Sequence, residues 1–400
     1  MRILHTADWH IGKKLHERSR HDEHKQFLEW LLERIKQHDI ELLLVSGDIF
    51  DTSLPSAEAT KLYYEFLYKL SNETNTYTVI IAGNHDSARH LEAPREFLKM
   101  GRIYVVGLAN EPSECVFTIP PENPQVAVAA VPYLSESELE HISFETEVEK
   151  SERYRERIKS LYSECVTGLP KNLPKILMGH FYVEGGTVSG SERKTQGEPF
   201  NESQPNIRIG GASAVHANDF PDGVDYVALG HLHRPQSIKG KKYPIRYSGS
   251  PIPLRFSEID YRKKIYILDI SENGTLEEEE IEVPIFKELC LVEGDETTVL
   301  GMAMTGDWID KYIQVKLKVK KNKPGISDEI RSKFNDRGGD VLTIELELPD
   351  TDEGPLIQVE DMDQPEEIFI QYHNANYGNP PDETLTQTFS ELLKIVKESK

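Results

Sequence analysis

Polar side chains that bind metal ions recur in five short stretches of the chain. They are Asp8 and His10 in "TADWH", Asp48 in "VSGDIFD", Asn84 and His85 in "AGNHDS", His180 in "MGHF", and His231 and His233 in "LGHLH". Carboxylate, carboxamide and imidazole donors in that number, with no thiolate among them, suit divalent manganese, iron or zinc better than a closed structural zinc site. Two ions about 3.5–4 Å apart need one carboxylate to bridge them and further ligands for each. Asp48 is placed for that bridging role.

These residues can meet only if the chain brings the five stretches to one place. The first 270 residues alternate strand and helix: "RILHTAD", "IELLLVSGD" and "YTVIIAGNHD" read as strands. Between them, "HDEHKQFLEWLLERIKQHD" carries Phe27, Leu28, Leu31, Leu32 and Ile35 on one helical face, and "SAEATKLYYEFLYKLSNE" reads as a second helix. Further strands are expected at "VAVAAVPY", "KILMGHFYV", "DYVALGHLH", "IRYSGS" and "KKIYILDI". The rhythm is that of an α/β protein with a largely parallel, buried sheet. Each polar stretch then falls at the carboxyl end of a strand, where open α/β sheets collect their ligands.

A glycine precedes Asp48, Asn84, His180 and His231, at Gly47, Gly83, Gly179 and Gly230. A residue without a Cβ lets the chain turn sharply and leaves room for ligands to converge. Taken singly, each element has an ordinary explanation, since an Asp after a strand is usually a turn or helix cap. The ordered set, every member on an expected strand end, is what points to a centre. His5, His16, His21, His24, His38, His90, His141, His216 and His373 read as ordinary core or surface histidines, with His5 and His90 the nearest to the motifs.

At 400 residues the chain exceeds what one core usually serves, so more than one unit is expected. The formal charge of -22 argues against binding nucleic acid by bulk electrostatics, which needs clustered Lys and Arg. A polyanionic substrate must be held locally, by metal ions or by a partner. Cys115, Cys165 and Cys290 are scattered and odd in number, and read as core thiols in a reducing compartment. No secretory or membrane-spanning segment is evident, so a cytoplasmic location is expected.

After about residue 284 the pattern changes. "KYIQVKLKVKK" places Ile313, Val315, Leu317 and Val319 on one face, and "VLTIELEL" does the same with Leu342, Ile344, Leu346 and Leu348. These are strands with one face in water, hence a small α+β unit with its own sheet. The acidic runs at 276–283 and 350–367 read as solvated faces and a linker. Two short amphipathic helices follow, the second with a stripe of Leu385, Phe389, Leu392, Leu393 and Val396, which docks either on this chain or in a groove of another protein.

The ordered set DxH, GD, GNHD, GH and GHxH resembles the calcineurin-like metallophosphoesterase family. "MRILHTADWHIGKKL", "VSGDIFDTSLPS", "AGNHDS", "SGSER" and "YSGSPIPLRFSE" resemble its bacterial nuclease branch, related to the nuclease of archaeal and eukaryotic double-strand-break repair. The likeness covers essentially the whole chain. It implies an α/β/β/α sandwich of four layers over 1–283, a small α+β capping domain over 284–349, an acidic linker over 350–364 and a C-terminal helical partner-binding segment over 365–400.

The resemblance implies one ion on Asp8, His10, Asp48 and His233 and another on Asp48, Asn84, His180 and His231, both most simply Mn2+. His85 would protonate the leaving oxygen, a task suited to a group whose pKa lies near working pH. Asp86 either orients His85 or caps a turn. The implied activity is that of a DNA nuclease, single-strand endonuclease and double-strand 3'–5' exonuclease, acting on hairpins and ends as a homodimer with an SMC-like coiled-coil ATPase. No P-loop is present, so any ATP dependence belongs to that partner. The chain departs from the archaeal and eukaryotic pattern "GDLFH" with "GDIFD", placing Asp51 where they have His. Asp51 either adjusts the site or caps the turn. The lysines 316, 318, 320, 321 and 323 form the densest basic cluster, and DNA contact and a solvated strand face are both open readings.

Overall fold

The computed structural model describes all residues except 136–146, 189–207, 210–211, 272–274, 320–322, 324, 348–364, 378–379 and 399–400. Two compact units divide the chain, Met1–Lys316 with Gly325–Glu345, and Leu317–Pro324 with Leu346–Lys400.

The two large sheets of the first unit are built from β1 (Arg2–Thr6), β2 (Leu42–Ser46), β3 (Tyr77–Ile81), β4 (Ile103–Val106), β5 (Val116–Ile119), β6 (Val126–Ala130), β7 (Lys175–His180) and β8 (Tyr226–Gly230). They continue with β9 (Gln236–Ile238), β10 (Ile245–Tyr247), β11 (Lys264–Ile270) and β12 (Leu276–Glu282). One sheet runs β12-β11-β1-β2-β3-β4 and the other β9-β10-β8-β7-β6-β5. The neighbours β1, β2, β3 and β4 are parallel, as are β6, β7, β8 and β10. Their carboxyl ends therefore line up, Thr6 beside Val45 in one sheet and Gly230 beside His180 in the other.

Alternation along each strand decides the layers. Ile3, Leu42, Leu44, Val79 and Ile81 point one way and join a core with Val126, Val128, Ile176, Leu177, Val227 and Leu229 of the second sheet. Leu4, Leu43, Val45 and Ile80 point the other way and pack with Phe27, Leu31 and Ile35 of helix α1 (His21–Gln37) and Tyr63, Phe66 and Leu70 of helix α2 (Ala57–Glu73). Tyr154, Ile158, Leu161 and Tyr162 of helix α3 (Glu147–Gly168) cover the second sheet within the shared core. The result is the four-layer α/β/β/α sandwich. Each fully buried Leu or Ile side chain contributes roughly 1.5–3 kcal/mol, so the strand ends rest on a rigid base.

A further sheet of β13 (Glu288–Asp295), β14 (Lys311–Lys318) and β15 (Asp340–Glu347) carries helices α4 (Glu296–Thr305) and α5 (Ile326–Asn335). Ile313 and Val315 are buried as the alternation requires, whereas Leu342 and Ile344 are only half-buried and Leu346 is exposed. Within the second unit, helices α6 (Pro365–Tyr377) and α7 (Glu383–Glu398) form a pair in which Phe369 and Phe389 stack at 4.1 Å. Leu385 and Leu392 remain exposed.

Some local expectations hold and others change. The acidic run at 276–282 is an edge strand whose glutamates form the solvated face expected of it, with Glu278 paired to Arg246 at 2.7 Å and Glu280 paired to Lys264. Charge on an edge strand discourages pairing with another chain. Cys115 and Cys165 are core thiols, but Cys290 is half-buried. The linker 350–364, "SGSER", and most of the stretch 192–208 lie outside the described residues, as do Lys320 and Lys321. Among the described residues no helix is long and apolar enough to cross a membrane.

Candidate metal centre

The turns that follow β1 and β2 are laced together. The Asp8 and His10 N–H groups donate to the carbonyls of Gly47 and Asp48, at 3.0 Å each, and the Ile11 N–H donates to that of Ile49 at 2.9 Å. The lacing holds Asp8, His10 and Asp48 in left-handed backbone, with φ of 53°, 47° and 51°, and His231 lies at φ 96°. Non-glycine residues adopt this region at a cost of order 1–3 kcal/mol each, and such strain clusters at functional sites. Here the carbonyl lacing holds the strained turns and aims their side chains inward.

The glycines act mainly by leaving space. A Cβ on Gly47 would lie 2.3 Å from His180 Nδ1, and one on Gly230 would lie 1.9 Å from the Ser46 carbonyl oxygen. Of the glycines preceding the ligand residues, Gly47 alone has a positive φ, 86°. The sharp turn expected at all four is thus required at one.

The structure brings the seven expected ligand residues together in two groups that share Asp48, with His85 beside them. In the first, donor atoms of Asp8, His10, Asp48 and His233 lie within 4.8 Å of one another, and His10 Nε2 and His233 Nε2 are 3.2 Å apart. In the second, Asn84 Oδ1 lies 3.1 Å from His180 Nε2 and 2.9 Å from His231 Nδ1. Asp48 Oδ2 is 3.4 Å from His10 Nε2 and 3.4 Å from His180 Nε2. Its other oxygen accepts the His85 N–H at 2.9 Å. Asp8, His10, Asp48, His180, His231 and His233 are buried, while Asn84 and His85 are partly exposed, so the centre opens at the tip of β3.

Second partners decide which ring nitrogen faces the centre. His180 Nδ1 donates to the Ser46 carbonyl at 2.8 Å, which turns Nε2 toward the centre. His233 Nδ1 faces the Glu258 carboxylate at 3.3 Å, and His10 Nδ1 faces that of Asp51 at 3.4 Å. His10 Nε2 then faces His233 Nε2, and His180 Nε2 faces Asn84 Oδ1, each across about 3 Å, an arrangement that a cation makes favourable. At about 2.0–2.1 Å from one ion, neighbouring nitrogen ligands come to about 3.0–3.4 Å from each other, which the 3.2 Å separation matches.

The electrostatics fit the same occupant. Burial pushes Asp8 up to about 7, against the pull of His180 and His233. Burial opposes charge on Asp48 too, yet His180, His10 and His85 around it hold it well below the usual carboxylate range. Burial would lower His180, but Asp48 and Asp8 together raise it to about 9. Burial lowers His10 to about 4 and His231 to about 3. The centre is therefore short of positive charge, which bound divalent cations would supply. Asp8 Oδ2 is buried without a hydrogen-bond partner, as a metal ligand is before metal binds.

His85 stands beside both groups, its ring 4.8 Å from that of His10 and its Nδ1 donating to the Asp51 carbonyl at 2.8 Å. Asp86 does not orient it. The Asp86 carboxylate accepts the N–H groups of Gly83, Ile49 and Phe50 at 2.8, 3.1 and 2.9 Å, and so ties the third turn to the second. Asp51 does more than cap a turn, since it also pairs with Lys13 at 2.8 Å. His5 lies below the centre, buried and bonded to the Tyr226 hydroxyl at 3.1 Å, and His90 sits exposed on a short helix, as ordinary residues. Sequence pattern assigns nothing to Glu258, although "PIPLRFSE" contains it. An acidic residue on an apolar loop is the signal available there.

The sequence is similar to those of known proteins. Residues 1–235 match the family model for calcineurin-like phosphoesterases. The chain is 32% identical to SbcD, a subunit of the nuclease SbcCD, from Bacillus subtilis (strain 168), over 100% of this chain and 99% of that protein. It is 33% identical to the protein of the same name from Escherichia coli (strain K12), over 78% of this chain and 74% of the other. A third, from Rhodobacter capsulatus, is 38% identical over 68% and 67%. The sandwich, the strand-end ligand groups and this end-to-end likeness agree: the chain belongs to the calcineurin-like phosphoesterases and, within them, to the SbcD family of nuclease subunits.

Proposed function

We propose that this chain is a two-metal DNA nuclease, cutting single strands internally, degrading duplex ends 3'–5' and opening hairpins. It acts with the SMC-like coiled-coil ATPase SbcC in DNA repair and recombination. The observation that carries the reading is Asp48 Oδ2, 3.4 Å from a histidine nitrogen of each ligand group.

Asp8, His10, Asp48 and His233 hold one ion, and Asp48, Asn84, His180 and His231 the other. The mixed oxygen and imidazole set suits Mn2+. When bound, the two ions neutralise charge on the phosphodiester and make a water nucleophilic near neutral pH. His85 is not a ligand. With Nδ1 engaged by the Asp51 carbonyl, its imidazolium form presents Nε2–H, which passes its proton to the leaving sugar oxygen. Asn84 and His85, on the open side, meet the substrate first.

An acidic chain needs help to hold DNA, and the metals and the partner supply it. The nuclease domain is 1–283, the cap 284–349, the linker 350–364 and the partner-binding segment 365–400, whose exposed Leu385 and Leu392 suit a groove on the ATPase. The assembly is a homodimer within a heterotetramer, cytoplasmic and nucleoid-associated.

The test is Mn2+-dependent cleavage of single-stranded and hairpin DNA by the purified chain, with and without the ATPase. Cleavage supports the reading. Two bound metals with DNA left intact in both settings would overturn it and turn the search to small phosphoesters.

A further inference from the structure

Behind the first ligand group lies a buried ion pair, and its role rests on the two-metal reading above. Glu258 and Lys263 are both buried, and Lys263 Nζ lies 2.6 Å from Glu258 Oε2. The two carboxylate oxygens divide their work. Oε2 takes Lys263 and the Leu254 N–H at 3.1 Å, whereas Oε1 faces His233 Nδ1 at 3.3 Å. Lys263 also donates to the Ser250 hydroxyl at 2.8 Å and to the carbonyl of His233 itself at 3.2 Å. One ion pair thus holds this histidine by its ring and by its backbone.

A buried ion pair is often no more stabilising than well-packed apolar residues of the same volume, so fold stability alone is a weak reason for it. His10 has a looser counterpart, with Asp51 Oδ1 3.4 Å from its Nδ1, outside hydrogen-bond geometry, and Lys13 Nζ 2.8 Å from that oxygen. His180, in the other group, is backed by the Ser46 carbonyl instead. Both histidines of the first group have a lysine-held carboxylate behind them.

We propose that Glu258, held by Lys263, is a positioning residue that keeps His233 as its Nδ1–H tautomer and turns the Nε2 lone pair onto the ion shared with Asp8, His10 and Asp48. A carboxylate partner also raises the basicity of a ligating imidazole, and losing such a partner typically costs 10–100-fold in metal affinity. The first ion therefore depends on the pair, and the second does not.

The test uses the full chain carrying Glu258→Gln with Lys263→Met, which removes both charges together and leaves no buried ion unpaired. After folding is checked by circular dichroism, Mn2+ is titrated and bound ions are counted by electron paramagnetic resonance. The expected variant binds one ion as the wild type does and the other about 10–100-fold more weakly, so the signal of a coupled pair gives way to that of an isolated ion. Two ions bound within about twofold of the wild-type affinities would overturn the proposal. A wild type that binds fewer than two ions overturns the two-metal reading itself, and this shows in the control. Should the double variant not fold, the 15N histidine spectrum of the metal-free wild type decides: Nδ1–H on His233 upholds the assignment, and Nε2–H sinks it.

Discussion

The Nε2 atoms of His10 and His233, 223 positions apart in sequence, face each other at 3.2 Å. One follows β1 in the first sheet and the other β8 in the second, so the contact closes the mouth between the sheets. Each imidazole has a carboxylate near its outer nitrogen, Glu258 at 3.3 Å from His233 and Asp51 at 3.4 Å from His10, so the two inner nitrogens are the ones a cation joins. Metal should therefore stabilise the fold as well as enable chemistry. At a concentration 100 times its dissociation constant, a ligand adds about 2.7 kcal/mol. Chelation should lower the melting temperature by several degrees and Mn2+ should restore it. An unchanged melting curve would show that the contact is held by a proton alone.

Asp48 joins the two ligand groups, so its loss should empty both. Asp48→Ala is expected to retain neither ion at concentrations that saturate the wild type, and to cut DNA on the order of 10³-fold more slowly or worse. Retention of one ion at wild-type affinity, measured by metal analysis after gel filtration, would contradict a shared carboxylate.

His85 stands outside both groups and should separate binding from chemistry. His85→Gln is expected to keep two ions and lose roughly 10²–10⁴-fold in cleavage rate, the usual range for a positioned acid or base. Loss of metal in this variant would make His85 a ligand instead.

Crowding at Gly47 can be told apart from backbone strain by a paired comparison. Gly47→Ala places a Cβ 2.3 Å from His180 Nδ1 at φ 86°, while Gly185→Ala, at φ 89°, meets nothing within 4 Å. The second should cost about 1 kcal/mol, from strain alone. The first should cost several, and should also weaken Mn2+ binding by displacing His180. Equal melting temperatures for the two variants would remove the spatial argument.

His5 supplies a pH test that does not involve a ligand. Burial lowers it from 6.5 to about 3 in the folded protein. Below pH 6.5 the unfolded chain takes up a proton that the folded chain refuses, so stability is complete above 6.5 and falls as pH drops toward 3. At pH 5 the loss is roughly 2 kcal/mol. In urea titrations at pH 7 and pH 5, His5→Phe should lose less stability on acidification than the wild type by about that amount. Parallel losses would mean that His5 is protonated in the fold.

How much of this is legible in the sequence follows from the range of each interaction. Strand ends are local features, read from apolar runs that stop at a glycine and a polar residue. Asp8, His10, Asp48, Asn84, His85, His180, His231 and His233 can be assigned to the carboxyl ends of strands by pattern alone, together with the α/β class and the separate small sheet near 313–319, whereas the division of those strands between two sheets is decided by the tertiary structure. What stands behind those residues is not visible there. That Asp86 ties the third turn to the second, that the Asp51 backbone serves His85 while its side chain serves His10, and that Glu258 backs His233 are contacts between segments remote in the chain. The ligand types are set by chemistry that a short stretch carries within itself. The nitrogen each imidazole presents is set by a hydrogen bond to its other edge, and that partner exists only once both sheets have packed.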